Sequence, residues 1–318
     1  MKKLIVVVPC YNEEEVLRET TKRMADKFEN LIKNKKITKN SQVMYVNDGS
    51  KDKTWELILE LSEKHDFVTG VCLSRNRGHQ NALLAGLDVA RRHADIVISM
   101  DADLQDDINA IDEMIEKSNE DYEIVYAVRN NRKKDSWFKR TTAEAFYKFM
   151  KFMGVEVVFN HADYRLTSKR VLDELFKYNE VNLFLRGIFP LIGFKNTVVY
   201  YERNERFAGV SKYPLKKMLS FAWNGITSFS VKPIKMILNL GIIILLISIL
   251  VILYALIVRF TGYTVDGWTF IVCSIWFLAG VQMIAIGLIG EYVGKIYSEA
   301  KQRPRYVIEY NLIDDKRK

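Results

Sequence analysis

Cysteine is scarce in this 318-residue chain, and its three cysteines, Cys10, Cys72 and Cys273, share no metal-ligand spacing. A disulfide framework and a zinc site are therefore not implied. No G-x-G-x-x-G follows the first apolar run, where Pro9-Cys10-Tyr11-Asn12-Glu13 stands instead, so the dinucleotide fingerprint is absent. A signal peptide is not read either: Met1-Lys2-Lys3 leads into Leu4–Val8, but the apolar run stops at Pro9 and an amphipathic pattern follows. The 47 basic residues outnumber the 39 acidic ones, giving a formal net charge of +8. There is no basic stripe interleaved with aromatics, so nucleic acid is not the expected partner, and anionic lipid heads explain the excess more cheaply. No internal repeat or low-complexity segment is present.

Charge is missing altogether from residues 236–258 and from 267–290. Each run is long enough to cross a hydrocarbon core of about 30 Å as a helix. Lys232 and Lys235 precede the first run, and Lys295, Lys301, Arg303 and Arg305 follow the second, whereas the loop over 259–266 holds one charge of each sign. The positive-inside bias then predicts a multi-pass protein of the cell membrane, with the catalytic domain and both termini cytoplasmic. Lys212, Lys216 and Lys217 beside Leu219, Phe221, Trp223 and Phe229 suit a membrane-surface segment. Residues 137–153 suit either such a helix or one packed on a sheet. The expected layout is a catalytic domain over 1–210, a juxtamembrane segment over 211–233, two transmembrane helices within 234–290 and a tail over 291–318.

The first part of the chain alternates apolar runs with amphipathic stretches. Strands are expected over 4–8, 42–46, 68–73, 95–100 and 122–128, with helices over 13–33, 53–65, 78–92 and 108–118. That rhythm belongs to a mostly parallel α/β sheet. In such sheets ligands bind beyond the carboxyl ends of the strands, and the fourth run ends in Asp101-Ala102-Asp103. Paired carboxylates there suit a hard divalent cation held against a diphosphate, which points to a nucleotide-sugar site. Asp103 is the first candidate for direct metal contact, with Asp101 beside it in the outer shell or near the ribose and Gln105 near the sugar or diphosphate. Tyr11 offers a face for a base, Glu13 an acceptor, and Arg129 a cation for phosphate. Asp48, in Asn47-Asp48-Gly49-Ser50, reads equally as a base contact or as a turn. Ser74-Arg75-Asn76-Arg77-Gly78-His79 opens a helix whose N–H groups suit an anion, and His79 reads as a packing or capping residue.

Taken in order, Val8-Pro9-x-Tyr11-Asn12-Glu13-Glu14, Asn47-Asp48-Gly49-Ser50, Arg75-Asn76-x-Gly78, Asp101-Ala102-Asp103-Leu104-Gln105-Asp106, Asp163-Tyr164-Arg165-Leu166 and Arg206-x-x-Gly209-x-Ser211-Lys212-Tyr213 resemble glycosyltransferase family 2. The nearest group is that of dolichol-phosphate-mannose synthases, and within it the bactoprenol glucosyltransferases, the GtrB-like and CsbB-like enzymes. The resemblance implies a GT-A fold with a Rossmann-like, mostly parallel sheet, a UDP-sugar donor, Mg2+ or Mn2+, and inverting transfer to undecaprenyl phosphate. Carried over position by position, Pro9, Tyr11, Glu13, Val46 and Asp48 belong to the nucleotide site, and Asn76 is a further substrate-binding candidate. Asp101, Ala102, Asp103 and Gln105 belong to the diphosphate and metal, and Arg129 and Arg206 to phosphates. Asp163 matches the proposed catalytic aspartate. Asp107-Ile108 departs from the Pro-Pro common after the Asp-x-Asp, which puts the shape of that loop in question.

A polyprenyl-phosphate acceptor is largely dianionic at neutral pH and already a nucleophile. Cations must then offset repulsion from the diphosphate and carboxylates. Arg206 and Lys212, helped by Arg186, are assigned to the lipid phosphate, and Asp163 to orienting it or taking a residual proton. Two alternatives remain at this point. A processive polysaccharide synthase usually carries Gln-x-x-Arg-Trp and needs a channel, and this chain lacks the motif. A catalytically silent scaffold would not need Asp101, Asp103, Asp163 and Arg206 together. Glycines at 280, 287, 290 and 294 favour close helix packing. They and residues 306–310, which suit pairing with another strand, make a homo-oligomer the expectation.

Overall fold

The computed structural model describes residues 1–129, 152–153, 161–180, 184–202, 223, 226–227, 230–260 and 267–315. The chain forms two units, one built from residues 1–148, 156–214 and 303–318 and the other from 149–155 and 215–302.

The first unit begins with the expected alternation: β1 (Leu4–Cys10), α1 (Leu17–Lys33), β2 (Gln42–Asn47), α2 (Thr54–Lys64), β3 (Val68–Leu73), α3 (His79–Ala90), β4 (Ile96–Ser99), α4 (Ala110–Asn119) and β5 (Ile124–Arg129). It continues with β6 (His161–Ser168), α5 (Lys169–Leu175), α6 (Leu185–Ile192) and β7 (Asn196–Tyr201). Eight strands form one sheet in the order β7, β5, β6, β4, β1, β2, β3 and finally β8 (Ile308–Asn311). The pairs β1–β2, β1–β4, β2–β3 and β5–β7 are parallel. β6 runs antiparallel between β4 and β5, and β8 antiparallel to β3. This mostly parallel α/β sheet is of the GT-A kind expected.

β1 is buried along its whole length because it is covered on both faces, which is why it reads as an unbroken apolar run. Leu4, Val6 and Val8 join a core with Met24, Phe28 and Leu31 of α1 and Ile111, Met114 and Ile115 of α4. Val7, one residue out of step, faces α3 on the other side. There a Cβ on Gly86 would lie 2.4 Å from Val7 Cγ1 and 2.6 Å from Val46 Cγ2. Gly86→Ala is therefore expected to destabilise the protein. Overpacking costs about 1–3 kcal/mol, against a helix-propensity gain of about 1 kcal/mol. Denaturant unfolding checks the sign, and a stabilised variant would contradict the packing.

α1 starts at Leu17, four residues later than its pattern suggests. The N–H groups of Glu13 and Glu14 are donated across to Thr54 Oγ1 (2.9 Å) and Asp52 Oδ2 (3.3 Å), so this stretch is bound to the loop after β2 and is not free to wind. The C-terminal segment also differs from expectation. β8 pairs with β3 of its own chain, Trp55 stacks on Tyr310 with ring centroids 6.1 Å apart, and α9 (Leu312–Asp315) follows.

The second unit contains α7 (Lys232–Phe260) and α8 (Trp268–Ala300). Within it, Tyr292 Oη donates to Ser230 O at 2.6 Å and Lys232 Nζ to Phe152 O at 2.6 Å. Among the described residues, no helix is long and apolar enough to cross a membrane. The expectation of two spans and a multi-pass placement is overturned by that finding. α8 also runs on past its uncharged stretch through Glu291, Lys295 and Glu299. Most of the 211–233 segment and nearly all of the 137–153 stretch lie outside the described residues.

Candidate active site

β1, β2, β3 and β4 are mutually parallel, so the loops that follow them leave the sheet on one edge. The loops after β1 and β2 are laced together. Ser50 Oγ accepts from Asn12 N at 3.0 Å, Asn12 Oδ1 from Lys51 N at 2.8 Å, and Glu14 Oε2 from Lys53 N at 3.0 Å. Tyr11, at the lip of this cradle, is 42% exposed and offers its ring to a planar ligand. Pro9 and Val46 are paired in the sheet and buried, and Val46 turns its side chain to α3.

Asp48 is only 2% exposed. Its oxygens accept from Arg77 N at 2.7 Å and Gly78 N at 2.9 Å, fixing the loop after β3. Burial pushes its carboxyl above the usual value, and the two amides oppose that shift. Gly49 has φ of +61° and lies so close beneath the same loop that a Cβ would stand 2.5 Å from Asn76 N. Only glycine fits there. Asn76 Oδ1 accepts from Gly78 N at 3.2 Å.

The loop after β4 carries Asp101, Ala102, Asp103 and Gln105. Ala102 is buried and its carbonyl accepts from Thr20 Oγ1 at 3.3 Å. Asp103 Oδ1 accepts from Gln105 N at 3.2 Å around Leu104, whose φ is 58°. A leucine in that left-handed region is strained and persists only when the surroundings hold it. The support comes from the next residues: Asp106 Oδ1 accepts from Tyr201 Oη at 2.5 Å, and Tyr164 Oη donates to Asp107 O at 2.9 Å. Thus the Asp107-Ile108 departure from Pro-Pro is compensated by hydrogen bonds. Burial, with the Asp101 charge adding to it, pushes the Asp106 carboxyl up to about 6. Arg129, expected at a phosphate, donates from Nε to Tyr201 Oη at 3.0 Å and stands 3.8 Å from Asp106 Oδ1.

Asp163, on β6, faces this loop. Arg165 Nη2 reaches its Oδ1 at 2.7 Å, and Arg186, near the start of α6, donates from Nε to Oδ1 at 3.2 Å and from Nη2 to Oδ2 at 3.0 Å. His79 Nε2 lies 3.6 Å from Asp163 Oδ2 and 3.6 Å from Asp101 Oδ1. Burial alone would raise the Asp163 carboxyl, but Arg186, His79 and Arg165 outweigh it and hold it well below the usual range. Asp101 moves the other way, lifted by desolvation and by the nearby Asp163 and Asp103 charges against the pull of His79. One carboxylate is firmly paired with cations, and the ionised form of the other is disfavoured. Among the described residues, no group of three or more His, Cys, Asp or Glu side chains is placed to hold a metal by itself.

Asp48, Asn76, Asp101, Asp103, Gln105, Asp163 and Arg186 therefore occupy neighbouring loops and strand ends on this edge, with Tyr11 and Glu13 at the cradle. Arg206 and Lys212 lie outside the described residues. Sequence reasoning missed four contributors. His79 reads in the sequence as a packing or capping residue, and Asp106 as one letter of a motif. Arg165 is 1% exposed beneath the Phe189 ring at 4.3 Å, and its alternation with Asp163 was the available signal. Tyr201 gave none.

The glycosyl transferase family 2 model matches residues 5–176. The Bacillus subtilis glycosyltransferase YkoT is 52% identical over 98% of this chain and 93% of its own length. The bactoprenol glucosyl transferase of Shigella phage SfX is 40% identical over 96% of this chain and 99% of its own. Among solved structures, glucosyl-3-phosphoglycerate synthase from Mycobacterium tuberculosis, in complex with Mn2+, UDP and glucosyl-3-phosphoglycerate, has a TM-score of 0.45 at 17% identity, covering 71% of this chain and 78% of that one. So distant a likeness carries no argument about the ligands of this chain.

Proposed function

The chain belongs to glycosyl transferase family 2 and is a glycosyltransferase, and on that premise we propose that it moves a sugar, glucose or N-acetylglucosamine, from a UDP-sugar to the phosphate of a polyprenyl phosphate such as undecaprenyl phosphate. The observation that carries this reading is the meeting of Asp101 and Asp163 across His79, 3.6 Å from each. The first carboxylate sits in the Asp-x-Asp loop, on the donor's side. The second, held by two guanidinium groups, is on the acceptor's side. Support for the acceptor comes from relatives at about 40% identity that carry the name bactoprenol glucosyl transferase.

The donor set suits a divalent ion of the Mg2+ or Mn2+ type. Two aspartates with hard oxygens are present, and such ions complete their shell with substrate phosphates and water. Burial, with the Asp163 and Asp103 charges nearby, disfavours the ionised Asp101 carboxyl, a cost that a cation would offset. When bound by Asp101 and Asp103, that ion would offset the charge developing on the departing diphosphate. The chain's own residues do the rest. Tyr11 covers the base, and Glu13 and the Asp48-fixed loop with Asn76 hold the nucleoside. Gln105, turned by Asp103, meets the sugar or diphosphate. Arg186, with Arg206 and Lys212, draws in the acceptor phosphate. That phosphate needs no strong base, which agrees with an Asp163 whose carboxyl lies too low to accept a proton near neutrality. Its task is to hold Arg186 and His79 in place.

The acceptor assignment is tested with undecaprenyl phosphate beside undecaprenol. Label from UDP-sugar is expected in the phosphate only. Equal transfer to the alcohol would demand a base that Asp163 cannot be, and would overturn the reading.

A further inference from the structure

His79 opens α3, and its position is fixed from both sides. Asp48 holds Arg77 N and Gly78 N just before it at 2.7 and 2.9 Å, and Gln80 Oε1 just after it accepts from Leu185 N, at the start of α6, at 3.1 Å. The imidazole therefore stands between Asp101 and Asp163 by construction. At 3.6 Å, the separation of Nε2 from each carboxylate is longer than an ordinary hydrogen bond, though both attract the ring, and the side chain is 45% exposed. Asp163 already has Arg165 at 2.7 Å and Arg186 at 3.0 Å, so the imidazole is its longest cationic contact and not its main one. A polar ring held at 3.6 Å from each of two carboxylates, with only long contacts to both and 45% of its side chain exposed, is poised for a third group.

Given the donor and acceptor sides assigned above, on which this step rests, the group that passes between Asp101 and Asp163 is the sugar. We propose that His79 is a specificity-determining residue that hydrogen-bonds a hydroxyl of the transferred sugar, holding its anomeric carbon between the donor diphosphate and the acceptor phosphate. A sugar read this way is discriminated by the position of one hydroxyl, and a polar partner that the bound but wrong sugar shields from water and leaves unpaired supplies the penalty.

The test is calorimetric binding of UDP, UDP-glucose, UDP-galactose and UDP-N-acetylglucosamine, each with Mn2+, to the full chain as wild type, His79→Ala and His79→Gln. The wild type is expected to bind one UDP-sugar more tightly than UDP. His79→Ala should lose about three- to tenfold for that sugar, the value of one hydrogen bond, and nothing for UDP. His79→Gln should recover part of the loss. An equal loss for UDP and UDP-sugar would make His79 a support of the loop only, and no loss for either would remove it from the site; both outcomes overturn the proposal while leaving the nucleotide-sugar site standing. A wild type that binds none of the four ligands would overturn the nucleotide-sugar reading itself, and the role of His79 with it.

Discussion

Replacing Asp103 by alanine is expected to lower kcat by about a hundred- to thousandfold, or about 2.7–4 kcal/mol of transition-state stabilisation. The loss should appear in kcat and not only in KM, because charge builds on the diphosphate as the glycosidic bond breaks and the ion at Asp103 matters most there. Stability should change little. The contact Asp103 makes with Gln105 N, at 3.2 Å, shapes its own turn, whereas the loop as a whole is held by Asp106–Tyr201 and Tyr164–Asp107. Steady-state kinetics with saturating donor and metal, beside a thermal melt, would separate the two. Near-normal turnover would remove Asp103 from the metal site.

The second large effect is at Asp163. Asp163→Asn keeps the shape and deletes the charge, leaving Arg165 at 1% exposure and the neighbouring Arg186 without their anion. Breaking a buried pair from one side costs about 3–5 kcal/mol. A large drop in unfolding free energy is expected together with a loss of activity. The pH dependence follows from the lowered carboxyl. Because folding favours the ionised form, the stabilisation is fully present above the unfolded value near about 4 and is lost as pH falls below it toward the folded value. The wild type should therefore lose stability steeply below that pH, and Asp163→Asn should show a shallower acid limb. The wild-type rate should also show no limb from Asp163 between about pH 5 and 8, since a group with so low a pKa does not titrate there. A rate that falls on acidification through that range and loses the dependence in Asp163→Asn would make Asp163 a proton acceptor after all.

The sheet was legible as far as β5 because parallel strands covered on both faces are mostly apolar: Leu4–Val8 is so throughout, and Val68–Leu73 is broken only by Thr69 and Gly70. β6 was harder to see. Five of its eight residues are polar, Asp163 and Arg165 of the site among them, so residues that matter for chemistry helped erase the strand's own signal. β8 is four residues long and finds β3 across more than two hundred residues of chain, a pairing no local pattern records. The Asp-x-Asp loop could be placed from sequence, since strand ends in such sheets are where ligands bind. Its supports could not: Tyr201 reaches Asp106 from 95 residues away, and Arg186 reaches Asp163 from 23. Arg129, assigned to phosphate from its place at a strand end, is also bonded into that same support. The membrane spans were read from uncharged runs alone, and the described helices do not bear them out.

The central claim is tested most directly by incubating the detergent-stabilised full chain with undecaprenyl phosphate and a panel of labelled UDP- and GDP-sugars, with and without Mn2+ or Mg2+. One UDP-sugar is expected to give a labelled lipid, only when metal is present. No labelled lipid from any donor, with the protein shown to be folded, would contradict the account.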